Sequence, residues 1–236
     1  MTAFDHSTPS ILLVGASRGL GHAMAAEFLR KGWNVTGTVR DGSTRTLLHD
    51  LAEAKGRVGI ETLDIRVPEQ IEALRERLMG RFFDMLFVNA GTTNRDPAQT
   101  IGEVSTEEFV EVMLTNALGP MRVIERLEAC VAPAGLIGAM SSGQGSIANN
   151  ERGQRELYRG SKAALNMFMR SFAARQGATP RPMALMAPGW IRTALGGAEA
   201  PLSIGDSIPS LVEVLLAKRE RPGLEYLDYR GRTVPW

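Results

Sequence analysis

Short apolar runs alternate with longer amphipathic segments along this chain. SILLVGA (10–16) is an unbroken apolar run, the pattern of a strand buried on both faces. LGHAMAAEFLRKG (20–32) instead sets Leu20, Ala23, Met24 and Phe28 on one helical face, with Gly32 placed to end the helix. WNVTGTV (33–39) and VGIETLDI (58–65) read as strands, separated by the helix TRTLLHDLAEAKG (44–56). PEQIEALRERLMG (68–80) opens a helix at Pro68, and FDMLFVNAG (83–91) is a fourth strand. Helical spacing then runs through 105–131, where Ser105 and Glu108 have the form of a capping box and Gly119-Pro120 predicts a kink. A strand at 135–140, a helix carrying 156–166, a strand at 182–189 and a helix at 207–219 follow, and GLEYLDYRG (223–231) has the pattern of a seventh strand.

Regular alternation of this kind predicts an α/β fold: a Rossmann-type, doubly wound parallel sheet of about seven strands with helices on both faces. No linker, repeat or low-complexity segment interrupts the 236 residues, so a single domain over 1–236 is expected. Sheets of this kind bind ligands beyond the carboxyl ends of their strands, near the switch in strand order. Candidate chemistry is therefore sought at strand ends.

Composition narrows the field. Hydrophobic residues make up 44% of the chain, enough for a substantial core. The formal net charge is +1, from 27 basic and 26 acidic residues, which gives no concentrated positive field for nucleic acid or a membrane surface. No apolar run approaches the roughly 20 residues that span a bilayer. MTAFDHSTPS lacks the charged and apolar regions of a signal peptide, so a cytoplasmic protein is expected. The lone cysteine, Cys130, cannot form an internal disulfide and reads as a small buried residue at a helix end. His6, His22 and His49 are scattered, so no metal site is expected.

Four strand-end motifs carry the candidate chemistry. GASRGLG (15–21) joins the first strand to the first helix, where glycines permit a tight turn and the helix N-terminus offers free N–H groups to a pyrophosphate. Its spacing is G-x-x-x-G-x-G, not the common G-x-G-x-x-G. VNAG (88–91) ends the fourth strand; Asn89 can tie neighbouring strands, and Ala90-Gly91 leave room for a ribose. AMSSGQGS (139–146) ends the fifth strand with a pair of serines. Tyr158 and Lys162, in YRGSK, stand one helical turn apart and share a face. Each motif alone is short enough to recur by chance; their order and placement give them weight.

Together with LDI (63–65), Asn116 in TNALGP and APGWIRT (187–193), these motifs resemble the short-chain dehydrogenase/reductase family through nearly the whole chain. SSGQGSIANN, YRGSKAALN, PGWIRT and the final PW are most similar to its C-factor and sniffer-type carbonyl reductase branch. Val14 departs from the threonine often found before the first glycine, which removes a local hydrogen bond. The resemblance implies NADP(H)- or NAD(H)-dependent hydride transfer to a small-molecule carbonyl or from an alcohol. It implies Tyr158 as general acid or base, Lys162 as its tuner and a ligand of the nicotinamide ribose, Ser142 (rather than Ser141) on the carbonyl oxygen, and Asn116 holding a water of the proton relay.

For the cofactor the resemblance implies Gly15, Ser17, Arg18, Gly19, Leu20 and Gly21 in the loop, with Asp64 and Ile65 after the third strand. It adds Asn89, Ala90 and Gly91, then Tyr158 and Lys162, and finally Pro188, Gly189, Ile191 and Thr193 after the sixth strand. NAD-specific relatives carry an acid at the end of the second strand, where this chain has Val39 followed by Arg40. Arg40 and Arg18 can converge on a 2′-phosphate, so NADP(H) is expected, unless Asp41 neutralises Arg40. A unit charge about 4 Å from the phenol supplies on the order of 4 kcal/mol at an effective dielectric near 20, enough in magnitude for Lys162 to lower the Tyr158 pKa. Trp33 and Trp236 are expected to pack in the core, and Trp190 to border the pocket. A homodimer or homotetramer is expected, and a binding-only signalling or regulatory protein on the same fold is the alternative function.

Overall fold

The structure, a computed structural model, describes residues 8–177 and 181–236. His6 lies outside them.

Seven strands form one all-parallel sheet in the order β3-β2-β1-β4-β5-β6-β7. They are β1 (Ser10–Val14), β2 (Asn34–Val39), β3 (Val58–Thr62), β4 (Phe83–Val88), β5 (Val131–Met140), β6 (Pro182–Ala187) and β7 (Gly223–Asp228). Between them run α1 (Gly19–Arg30), α2 (Leu47–Lys55), α3 (Pro68–Arg77), α4 (Thr106–Met113), α5 (Gly119–Leu127), α6 (Glu156–Arg175) and α7 (Ile204–Lys218).

Alternation along the strands divides the core in two. Ile11 and Leu13 point to the face covered by α1 and α7, among Met24, Phe28, Leu211 and Leu215. Leu12 and Val14 point to the other face, among Ile71, Ile124, Leu165 and Met169 of α3, α5 and α6. Both faces are therefore dry, which is why the strands read as unbroken apolar runs. Burying a side chain such as Phe28 contributes about 1.5–3 kcal/mol. The strand order reverses between β1 and β4, and their carboxyl ends lie side by side.

Three local expectations change. The stretch before Pro120 is a π-helical turn, Leu114–Leu118, that runs directly into α5, so the irregularity expected at Gly119-Pro120 takes the form of a π bulge. Gly119 keeps right-handed helical angles and its N–H reaches back to Leu114 O; widening the turn absorbs the missing proline N–H without breaking the helix. The Ser105 capping box is half formed. Ser105 Oγ accepts from Glu108 N at 3.2 Å, but the Glu108 carboxylate accepts from Arg95 N at 2.7 Å instead. The last helix begins at Ile204, earlier than expected, because Ser203 and Asp206 form a reciprocal capping box. Cys130 closes a short 3₁₀ turn after α5 and is buried, as expected. Trp33 packs on Phe28, with ring centroids 5.3 Å apart, and Trp236 on Tyr226 at 5.4 Å.

Candidate active site

The turn from β1 into α1 is built around its glycines. Gly15 has φ +86°, and a Cβ there would lie 2.8 Å from Ala90 N, so only glycine lets the ends of β1 and β4 approach this closely. Gly15 N donates to Thr38 Oγ1 at 2.9 Å, and Asn89 Nδ2 donates to Gly15 O at 2.8 Å. Asn89 thus ties neighbouring strands, as its position suggested. Thr38, reaching across from β2, gives the loop a hydroxyl that Val14 cannot. Gly19 takes φ +57° with open space where a Cβ would stand. Arg18, at the N-cap of α1, gives no side-chain cap, so the first N–H groups of the helix are left to a ligand.

From this loop a cavity of ≈ 870 Å³ runs over the strand ends to α6. All the sequence-nominated residues line it except Gly21 and Asn116. Gly21 packs behind the loop: a Cβ there would strike Gly15 O and lie 2.6 Å from Asn89 Nδ2. Asn116 is fully buried in the π turn and braces the end of β4. Its Oδ1 accepts from Thr92 N at 2.8 Å, while Nδ2 lies 2.9 Å from both Thr92 O and Ser161 Oγ.

The two serines after β5 part company. Ser141 is buried and its Oγ donates to Asn166 Oδ1 at 2.6 Å, in a network that includes Tyr226. Ser142 lines the cavity, its Oγ accepting from Gln144 N at 3.2 Å, while its carbonyl is held by the Tyr226 hydroxyl. Tyr158 and Lys162 are both buried on α6. Lys162 Nζ donates to Met140 O at 2.9 Å and stands 5.9 Å from the centre of the Tyr158 ring.

Burial pushes the Tyr158 phenol above its ordinary value; the Ser142 hydroxyl and the Arg155 guanidinium pull the other way without reversing it. Burial also pulls the Lys162 ammonium down to about 8. The expected lowering of Tyr158 by Lys162 is therefore not the net direction in the protein alone. Desolvation of the phenolate outweighs the lowering by Ser142 and Arg155, and the Lys162 ammonium itself is destabilised by the same dry surroundings. Arg155 was missed in the sequence. Its guanidinium carbon lies 5.3 Å from the centre of the Tyr158 ring, from a left-handed residue at φ 52° that starts α6.

At the other end of the cavity Arg18 and Arg40 are exposed, and Asp64 is held by Arg66 through contacts of 2.7 to 3.2 Å. Asp41 does not pair with Arg40: it accepts from Ser43 and Thr44, which hold its carboxyl at about 2. Trp190 borders the cavity, its Nε1 donating to Gly196 O at 2.7 Å. Among the described residues no helix is long and apolar enough to cross a membrane.

A glycine turn at the β1–β4 switch point, opening onto a buried tyrosine–lysine pair beside a serine, defines a Rossmann-type oxidoreductase class. Residues 15–205 match a family model described as enoyl-(acyl carrier protein) reductase, and the chain belongs to the short-chain dehydrogenase/reductase family. It is 33% identical over 155 residues to the C-signal protein of Myxococcus xanthus, spanning 65% of this chain and 92% of that one. A short-chain dehydrogenase/reductase from Burkholderia multivorans, solved with bound NADP, is 71% identical with a TM-score of 0.96, over 97% of this chain and 100% of that chain. A carbonyl reductase from Pseudomonas aeruginosa in complex with NADP is 35% identical with a TM-score of 0.89, over the same shares of 97% and 100%. The carbonyl reductase Sniffer of D. melanogaster is 25% identical with a TM-score of 0.89, again over 97% and 100%. The resemblance to the C-factor and sniffer-type branch is borne out.

Proposed function

We propose that this protein is an NADP(H)-dependent oxidoreductase that reduces a carbonyl, or oxidises the corresponding alcohol, with Tyr158 as proton donor and acceptor. The observation that carries this reading is the placing of Tyr158, Lys162 and Ser142 in the same cavity as the glycine turn. The NADP held by the Burkholderia and Pseudomonas relatives supports the cofactor.

The residues fit such a cofactor. The uncapped N-terminus of α1 and the open side of Gly19 suit the pyrophosphate. Arg18 and Arg40, neither in a direct ion pair among the described residues although Arg40 attracts Asp64 at longer range, suit the 2′-phosphate, and Asp64 and Ile65 the adenine end. Asn89, Ala90, Gly91, Pro188, Gly189, Ile191 and Thr193 flank the remainder. A Cβ at Gly91 would lie 3.3 Å from Lys162 Nζ and from Asn116 Oδ1, so glycine keeps that corner clear for a ribose. When bound, the nicotinamide supplies or accepts the hydride.

The chain's own groups handle the proton. Tyr158, kept neutral by burial, gives its proton to the carbonyl oxygen as negative charge develops there, and takes it back in oxidation. Ser142 Oγ donates a hydrogen bond to the same oxygen and orients it. Lys162 holds the ribose and stabilises the phenolate left behind. Asn116 acts through its main chain, because its side-chain amide is committed to Thr92 and Ser161. Its main-chain carbonyl is the group that holds the relay water.

The chain works as a single domain over 1–236, in the cytoplasm, as a homodimer or homotetramer. Exposed Phe109, Val110 and Leu118 on the α4–α5 face, with Met167 and Phe168 on α6, form apolar surface that a second copy would cover. NADPH consumption with a panel of aldehydes and ketones tests the activity. Turnover is expected with at least one class. Tight NADPH binding with no turnover on any class would favour a binding-only regulator.

A further inference from the structure

Arg155 occupies a position that is locally unfavourable three times over. It and Gln154 are the two non-glycine residues with positive φ among the described residues, at 52° and 60°. A side chain in this left-handed region costs about 1–2 kcal/mol. It is also a cation at the N-cap of a 20-residue helix, where the macrodipole favours the opposite charge. Its Nε is buried with no acceptor. Such costs persist where the surroundings impose them, and they concentrate at functional sites.

The surroundings are the cavity wall next to Tyr158. The other charges lining that cavity are mostly engaged. Asp64, Arg66 and Glu111 form one cluster, Asp228 and Arg232 a pair at 2.6 Å, and Lys162 donates to Met140 O. Arg18 and Arg40 stand at the glycine turn and the end of β2. Arg155 is left as the guanidinium beside the catalytic tyrosine, with no carboxylate paired to it among the described residues. Gln144, on the same wall and next to Ser142, buries its side-chain carbonyl with no donor. Arg155 and Gln144 therefore both line the cavity wall beside Tyr158 and Ser142, each with one buried side-chain atom that lacks a partner.

We propose that Arg155 is a substrate-recognition residue that selects carbonyl compounds bearing an anionic group, a carboxylate or a phosphate, close to the reacting carbon. This rests on the carbonyl-reductase reading above. The guanidinium at the cavity wall offers N–H donors to such an anion. Held from one side by Arg155, the carbonyl is fixed against Ser142 and Tyr158, so the anion contributes to orientation as well as affinity.

The test compares kcat/KM with NADPH for matched substrate pairs: keto acids against their methyl esters, and a phosphorylated aldehyde against its free alcohol. Wild type is compared with Arg155→Asn and Arg155→Lys. Asparagine tolerates the left-handed backbone and serves as an N-cap, so the charge is removed without disturbing α6. Wild type is expected to favour the anionic member, Arg155→Asn to lose roughly ten- to a hundredfold of that ratio, and Arg155→Lys to keep part of it. Equal losses on both members would overturn the proposal, because a residue that acts only on Tyr158 changes both alike. A wild type that prefers the neutral members, or a preference that survives Arg155→Asn, would overturn it as well. Failure of every substrate, neutral and anionic, would instead count against the carbonyl-reductase reading, and the recognition proposal would fall with it.

Discussion

Lys162 and Tyr158 share one face of α6, yet the Lys162 ammonium is anchored to the Met140 carbonyl at 2.9 Å and lies 5.9 Å from the tyrosine ring centre. Burial acts on the two groups in opposite directions, raising the phenol and bringing the ammonium down to about 8. Of the pair, the lysine titrates first as pH rises. We expect kcat/KM for carbonyl reduction to be level below this value and to fall as pH rises through about 8, while Tyr158 still carries its proton. A pH–rate profile of the wild type checks this, and Lys162→Met should be slow with that limb absent.

The same shift has a sign in stability. The folded Lys162 value lies below its ordinary 10.5, so between about 8 and 10.5 the unfolded chain binds the additional proton. Its contribution to stability therefore rises with pH across that window and is constant below it. Thermal melts of wild type and Lys162→Met at about pH 7 and about pH 10 should show the comparison moving in favour of wild type at the higher pH.

We propose that cofactor choice rests on Arg18 and Arg40, because Asp41 is engaged with Ser43 and Thr44 and does not neutralise Arg40. Loss of one charge-assisted contact costs about 1.5–3 kcal/mol. Arg18→Ala and Arg40→Ala should each lower kcat/KM for NADPH roughly ten- to a hundredfold and leave NADH nearly unchanged. Equal losses with both cofactors would remove the arginines from phosphate recognition.

The two glycines at the start of α1 fail differently when substituted. Gly19→Ala meets open space and is penalised by its φ of +57° alone, about 1–2 kcal/mol. Gly21→Ala drives a methyl into the Gly15 carbonyl and within 2.6 Å of Asn89 Nδ2, breaking the tie between β1 and β4. Overpacking that forces backbone to shift costs about 1–3 kcal/mol and occasionally more, on top of the lost tie. Chemical denaturation should rank Gly21→Ala well below Gly19→Ala.

Much of this architecture is legible in the sequence because the sheet is buried on both faces. Ile11 to Val14 read as an uninterrupted apolar run, and Met24 and Phe28 as a helical stripe, for the reason that each meets its own half of the core. The glycine turn, Asn89, Ser142 and the tyrosine–lysine pair are legible because they fall at strand ends or at fixed helical spacing. What escapes depends on three-dimensional approach. Thr38 serves the Gly15 amide from a neighbouring strand, and no spacing announces it. Arg155 comes to lie beside Tyr158 from a left-handed backbone that its place in the sequence does not announce. The direction of the Tyr158 shift depends on how dry the site is, which the four-residue spacing to Lys162 cannot express. The π turn at Leu114–Leu118 shows the same limit: Pro120 marks a defect, but the surrounding packing decides its form.

The central claim is that Tyr158 moves the proton in a cofactor-dependent carbonyl reduction, and the direct measurement pairs turnover with binding in Tyr158→Phe. Phenylalanine keeps the ring against Arg155 and Lys162 and removes the hydroxyl alone. Steady-state oxidation of NADPH by a competent carbonyl substrate gives kcat, and titration calorimetry gives the NADPH Kd for the same preparations. Tyr158→Phe is expected to lose roughly a hundred- to ten-thousandfold in kcat, the range of a general acid, with Kd within a few-fold of wild type. A Tyr158→Phe protein that turns over at the wild-type rate would contradict the claim.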